Sequence, residues 1–143
     1  PARFSSLVDL YHRTLDGLGQ PRLPVGAHSP GHVADTDELA REQLWPHYAA
    51  LMSRIGAERG WPPLTRAHYE REAGPDGALM VGAPDTVARK VAAAVRALGL
   101  SRFDLKYSSG TLSHDALMRS IELYATQVAP RVQELLREAP VPR

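Results

Sequence analysis

The sequence contains no cysteine, which excludes disulfides, thiolate metal sites and a cysteine nucleophile. A cysteine-free chain fits a reducing cytoplasm, and that is the expected compartment. No apolar run approaches the roughly 20 residues of a membrane-spanning helix, and the N-terminus lacks the charged-then-apolar pattern of a signal peptide. Excess charge of either sign is also missing: 17 Lys and Arg stand against 16 Asp and Glu, a net charge of +1. Basic and acidic residues are interspersed, so no dense basic patch supports nucleic-acid binding. No Gly-x-Gly-x-x-Gly follows a strand, so the nicotinamide fingerprint is absent. Asn-Gly hairpin signals, low-complexity segments and internal sequence repeats are lacking too. Lysine is scarce, with two residues against fifteen arginines.

What is present suits one domain. The chain has 143 residues, 43% of them hydrophobic, enough for a single core and little more. It begins at Pro1, inside the approach to a helix, which reads as a fragment or a processed product. Phe4, Leu7, Val8, Tyr11, Leu15 and Leu18 recur at helical spacing, closed by Gly19. "RLPVGAHS" reads as a short strand. In "ADTDELAREQLW", Asp35 or Thr36 is placed to cap a helix, with Glu38 answering Asp35 as in a capping box. Leu39, Leu44, Tyr48, Leu51, Met52 and Ile55 continue it, and Pro46 is expected to kink it.

Residues 60–77, rich in Gly, Pro and charge, read as an excursion loop with one helical turn around Arg66–Glu72. Next come a strand at "ALMVG" and a helix over "APDTVARKVAAAVRALG", with Pro84 in its first turn and Gly99 at its stop. "RFDLKY" alternates Phe103, Leu105 and Tyr107 with Asp104 and Lys106, the period of a strand with two unlike faces. It opens into Ser108-Ser109-Gly110-Thr111 before a helix capped by Ser113, which restarts or kinks at Pro130. This rhythm implies α/β architecture with parallel strands and three βα units. Three such strands alone leave open edges. A (β/α)8 barrel takes about 250 residues, so three units supply a little less than half of one.

Two motifs carry a resemblance. Val33-Ala34-Asp35-Thr36-Asp37-Glu38-Leu39-Ala40 is similar to the helix start that follows a strand in bacterial luciferase-like flavin-dependent monooxygenases. Val81-Gly82-Ala83-Pro84-Asp85-Thr86-Val87-Ala88-Arg89-Lys90 resembles a later strand-to-helix motif of that family. The order and spacing of the two fit its C-terminal part over nearly the whole chain. Ala83 departs from the family's usual Thr or Ser, losing a side-chain cap or phosphate contact.

The resemblance implies the C-terminal portion of a (β/α)8 barrel, about three βα units, with residues 60–77 inserted before the penultimate strand. It implies reduced FMN, or a deazaflavin relative, at the strand ends, with reaction of reduced flavin and dioxygen on a small organic substrate. A partner flavin reductase supplies reduced flavin in some such systems. Because the main phosphate contacts lie upstream in the family, the chain alone is expected to be inactive. It is expected to associate with itself or with the missing half. A flavin-free half-barrel module that self-associates and an unrelated small α/β domain remain as alternatives.

The candidate catalytic residues are His28 and Lys106. His28, near the end of its strand, shares with Gly26 the face opposite Val25 and Ala27; its structural alternative is a backbone-bonded histidine in a polar mouth. Lys106 shares a face with Asp104 and lies nearer the strand's C-terminal end. There an ammonium would steady negative charge on reduced flavin; the alternative is an ion pair in the barrel core. Ser29, Ser108, Ser109 and Gly110 are the candidate cofactor contacts, on strand-end segments where such barrels hold ligands. No metal is expected, since His28 and His32 lack a third ligand. His12, His47, His68 and His114 read as surface residues. The excursion also reads as a candidate lid offering Trp61, Arg66, His68 or Tyr69, against the alternative of an exposed connector.

Overall fold

A computed structural model describes residues 4–138; the "APVPR" tail lies outside them. The first amphipathic stretch forms α1 (Ser5–Gly17), ending in a turn with Gly19 at φ +64°. None of its residues is buried, and Leu7, Leu10 and Leu18 remain exposed.

The first strand begins later and runs further than expected, as β1 (Gly26–Val33). It continues through Pro30 and Gly31, although proline has no N–H to give a ladder. The structure places them where β1 changes partner. Gly26–Pro30 pair in parallel with β3 (Arg102–Lys106), and Gly31–Val33 pair in parallel with β2 (Met80–Gly82). Gly31 is required there, since a Cβ would overlap the Met80 carbonyl and lie 2.5 Å from Leu105 Cδ1.

The sheet order is therefore β2-β1-β3. Three βα units wound in series would have put β2 in the middle. Instead the three-residue β2 lies beside only the C-terminal end of β1, and both β2 and β3 are edges.

Helix α2 (Asp37–Arg59) is capped by Thr36, whose Oγ1 accepts the Leu39 N–H at 3.1 Å. Asp35 instead pairs with Arg119 at 2.6 Å. Pro46 sits inside α2 without ending it. Within residues 60–77 the expected helical turn is present as α3 (Arg66–Ala73), capped by Thr65, and Tyr69 on it is fully buried. Charge and proline in this stretch hid a single inward aromatic. Pro84 opens α4 (Pro84–Leu98), and Gly99 closes it at φ +60°. Ser113 caps α5 (His114–Leu123), accepting the Ala116 N–H at 3.3 Å. The restart expected near Pro130 is a π-helical turn, Tyr124–Val128, leading into α6 (Ala129–Arg137). Pro130 follows the π turn in a continuous helical run and, lacking an N–H, cannot donate to a carbonyl of that turn.

Two cores cover the sheet. On one side Val33, Met80, Phe103 and Leu105 pack under α4, α5 and α6 through Val87, Val91, Leu123 and Val128. On the other, Ala34, Leu79 and Val81 meet Leu44, Tyr69 and Ala73 from α2 and α3. The second core covers only the strand ends. The remainder of that side, along β1 and β3, is open.

Candidate functional site

Alternation along the paired strands decides which side chains meet on the open face. Gly26 lies beside Arg102, His28 beside Asp104, and Pro30 beside Lys106. Phe103 and Leu105 turn the other way, half-buried under the helices. The two unlike faces read from the sequence are thus observed, apolar against helix and charged against solvent. Tyr107 follows the end of β3 and is exposed.

His28 and Lys106 therefore share one face, with Lys106 at the C-terminal end of β3. Neither makes a hydrogen bond or ion pair among the described residues. His28 is in the body of β1 and not near its end, because the strand continues to Val33. Asp104 does not pair with Lys106. Arg102, two residues back on the same face, donates to both of its carboxylate oxygens at 3.0 and 2.9 Å.

The candidate cofactor contacts divide. Ser29 is buried, and its hydroxyl donates to the Ala78 carbonyl just before β2. That bond commits the side chain to the fold, on the face of β1 opposite His28. Ser109 is buried in the loop after β3, with its carbonyl accepting the Leu112 N–H at 3.4 Å. Ser108 and Gly110 are exposed, and Gly110 adopts φ +62°. The loop leans on α2: a 2.8 Å hydrogen bond joins His47 Nδ1 to Thr111 Oγ1. His47 is therefore a loop tether and not a bare surface residue.

One helical turn earlier, Gln43 reaches the end of β1. His32 there is fully buried, and its Nε2 donates to Gln43 Oε1 at 2.9 Å. Its Nδ1 is buried without a partner among the described residues. Burial, reinforced by nearby His47, holds the His32 pKa below the ordinary histidine value despite the Gln43 bond. Gln43 and His47, at i and i+4, thus tie one face of α2 to the ends of β1 and β3. That spacing was visible in the sequence, but its targets, 11 and 64 residues away, were not.

The excursion supplies packing where a lid was considered. Tyr69 donates to the Arg41 carbonyl at 3.0 Å and its ring lies 5.1 Å from that of Trp45. Arg66 is held by Glu42 and Glu70. Trp61 and His68 remain exposed.

An anion at the α4 N-terminus is disfavoured. Asp37 Oδ1 accepts the Ala83 N–H at 2.7 Å, and Oδ2 accepts the Thr86 hydroxyl at 3.1 Å. A carboxylate thus already occupies the positive end of the helix, where a phosphate would otherwise bind. Gly82 makes room for it: φ is +150°, and a Cβ would lie 2.5 Å from Asp37 Oδ1. The open face nevertheless fits one part of a flavin site. It offers a free ammonium at a strand end beside an exposed loop, without a phosphate cradle. Among the described residues no helix is long and apolar enough to cross a membrane.

No protein-family model matches the chain, and no curated protein matches it significantly. Solved structures do. Monooxygenase RslO1 from Streptomyces bottropensis superimposes with a TM-score of 0.67 at 16% identity, over 91% of this chain and 38% of that one. The oxygenating constituent of 3,6-diketocamphane monooxygenase from the CAM plasmid of Pseudomonas putida, a type II Baeyer-Villiger enzyme in complex with FMN, gives 0.64 at 20% identity. That match covers 90% of this chain and 40% of the other. Apo-MsnO8 gives 0.53 at 18% identity, over 86% and 37%. The chain spans about two fifths of the length of the structures it matches. Identities this low establish a shared α/β fold with parts of these monooxygenases.

Proposed function

We propose that this chain is the C-terminal portion of a (β/α)8 flavin-dependent monooxygenase acting on a small organic substrate. One observation carries the reading: the β1–β3 ladder is covered by helices on its apolar side and bare on the side bearing His28 and Lys106. A barrel strand has this division, with helices outside and polar residues inside at the mouth. The likeness to monooxygenases, one of them in complex with FMN, supports the same reading.

Reduced FMN, when bound, would supply the electrons that activate dioxygen. Lys106 would hold positive charge at the strand end, where negative charge on reduced flavin or an oxyanion develops. The loop through Ser108 and Gly110 would border the cofactor, fixed to α2 by Thr111 and His47. The phosphate grip would come from residues outside this chain, since Asp37 fills the α4 N-terminus. A reductase supplying reduced flavin is part of the proposal.

The test is titration of the protein that carries this chain with FMN, followed by turnover under isotope-labelled dioxygen. Stoichiometric binding and transfer of one labelled oxygen atom to a small organic substrate are expected. Failure to bind either flavin or deazaflavin overturns the reading.

A flavin-free module that self-associates is the second reading. It is favoured by the apolar side chains that α1 exposes and by the free edge of β3. Flavin titration of the protein that carries this chain separates the two, because this reading requires a stable homodimer and no flavin binding by that protein.

A further inference from the structure

A cleft of about 420 Å³ opens at the β2 edge, between the start of α2, the end of α3 and the outer face of α4. Its walls include Arg41, Arg89 and Lys90, with one carboxylate, Asp37. That edge is the one opposite Lys106 in the sheet, so the cleft is separate from the proposed flavin face.

The hydrogen bonding of its wall is unbalanced. Arg41 is half-buried, yet its side chain donates no hydrogen bond among the described residues. Its nearest acidic partner is Glu70, at 3.8 Å, and its Nε is both shielded and unpartnered. Burying that one donor without an acceptor is costly. A buried unpaired donor in a native structure calls for an explanation, a bound water or ion among them. Asp37 makes no hydrogen bond or ion pair to Arg41; its oxygens accept from Ala83 and Thr86.

Lys90 adds fixed positive charge to the same wall. Its Nζ donates to the Ala73, Gly74 and Leu79 carbonyls at 3.0, 2.6 and 2.6 Å, so its position is set while its charge is unneutralised by contact. Glu72, Asp76 and Asp37 lie within electrostatic reach of it, and none of them is hydrogen-bonded to it. Glu72 is spent on the Ala78 N–H. Arg89 is exposed at the rim, where its ion-pair partner among the described residues is Asp85, at 2.7 Å. Two guanidinium groups lining one cleft are suited to a carboxylate or phosphate.

We infer that this cleft binds a small anion, a carboxylate or a phosphate, on Arg41 and Arg89. The inference goes beyond the flavin reading and does not depend on it.

The probe is inorganic phosphate, with acetate as a second arm. Amide shifts of the wild-type chain are followed during titration against sodium chloride at matched ionic strength. Saturable shifts are expected at Thr86, Arg89 and Ala93, with none along Arg102–Lys106. Arg41→Met should weaken the affinity by about tenfold or more, the loss of one charge-assisted contact. Should that variant fail to fold, Arg89→Met makes the same test, with a several-fold loss expected. A stronger response to phosphate than to acetate, or the reverse, identifies the anion class within the proposal. Shifts that follow ionic strength without saturating overturn it, as does saturable binding unchanged in both variants.

Discussion

The Asp37 carboxylate accepts the backbone N–H of Ala83 at 2.7 Å, across 46 residues of sequence. It joins the first turn of α2 to the N-terminus of α4, the two stretches on which the luciferase-like resemblance rested. Ala83 cannot cap α4 with its own side chain. Asp37 does so from another helix, and its second oxygen holds Thr86.

Removing that carboxylate should therefore destabilise the whole fold. Asp37→Ala is expected to cost about 2 kcal/mol, in the range of a lost cap and of a hydrogen bond to a charged group. Asp37→Asn should cost less, because one amide oxygen still accepts. Denaturant midpoints at unchanged m-value measure this. A midpoint within error of wild type for Asp37→Ala would show the contact to be incidental.

Lys90 makes a second stability test. Lys90→Met preserves much of the stem but leaves three buried or half-buried carbonyls without their donor. A loss of about 3 kcal/mol or more is expected, since each unsatisfied group costs about 1–3 kcal/mol. Burial and the neighbouring Arg41 charge lower the Lys90 pKa to about 8. Between about 8 and its unfolded value of 10.5, the unfolded chain binds more protons than the folded one, so stability should rise with pH. Wild type should show that rise from pH 8 to 9.5 and Lys90→Met should not. Equal slopes would place the titration elsewhere.

His32 gives the opposite window. Its folded pKa is lowered from 6.5 by burial, so the unfolded chain takes up the proton first as pH falls. Stability should be unaffected by this group well above 6.5 and should drop as pH falls through that value. His32→Gln should flatten the profile below pH 6.5. An unchanged slope would show that another group carries the acid loss.

How much of this was legible in the sequence depends on range. Local signals were accurate: the Ser113 cap, Pro84 and Gly99 bounding α4, and the opposed faces of Phe103/Leu105 and Asp104/Lys106 all follow from neighbours within a few residues. Pairing was not legible. Nothing near Pro30 announces that β1 leaves β3 there for β2, because proline reads as a stop when its partner strands are unknown. Tyr69 was hidden for a similar reason, as one apolar side chain among charges gives no period. Asp37, Lys90 and His32 were missed because their partners lie 11 to 49 residues away in sequence.

Flavin binding by the chain alone tests where the phosphate grip resides. Asp37 places negative charge at the α4 N-terminus, and the first turn of α5 carries Asp115. The first is occupied by a carboxylate, and at the second an acidic side chain opposes a phosphate. FMN should bind weakly or not at all, in the high micromolar range or above, as followed by flavin fluorescence. Tight stoichiometric binding would mean that this chain holds the whole cofactor site.

Lys106 and Asp104 separate fold from chemistry on one strand. Lys106 is exposed and makes no polar contact among the described residues, so Lys106→Met should shift stability by no more than about 0.5 kcal/mol, as surface substitutions do. Asp104 should matter as little to folding. Its only ion-pair partner among the described residues is Arg102 on the same exposed face, and such pairs are worth about 0–1 kcal/mol. Asp104→Asn should therefore also be mild. The two variants should differ in turnover by the protein that carries this chain. An ammonium steadying reduced flavin or an oxyanion is worth about 10²-fold or more in rate, so Lys106→Met should lose that factor in kcat with little change in flavin affinity. Asp104→Asn should stay within a few fold of wild type, because it lies one pleat further from the strand end. Equal, small losses from both would leave the open face without a chemical role and favour the assembly module.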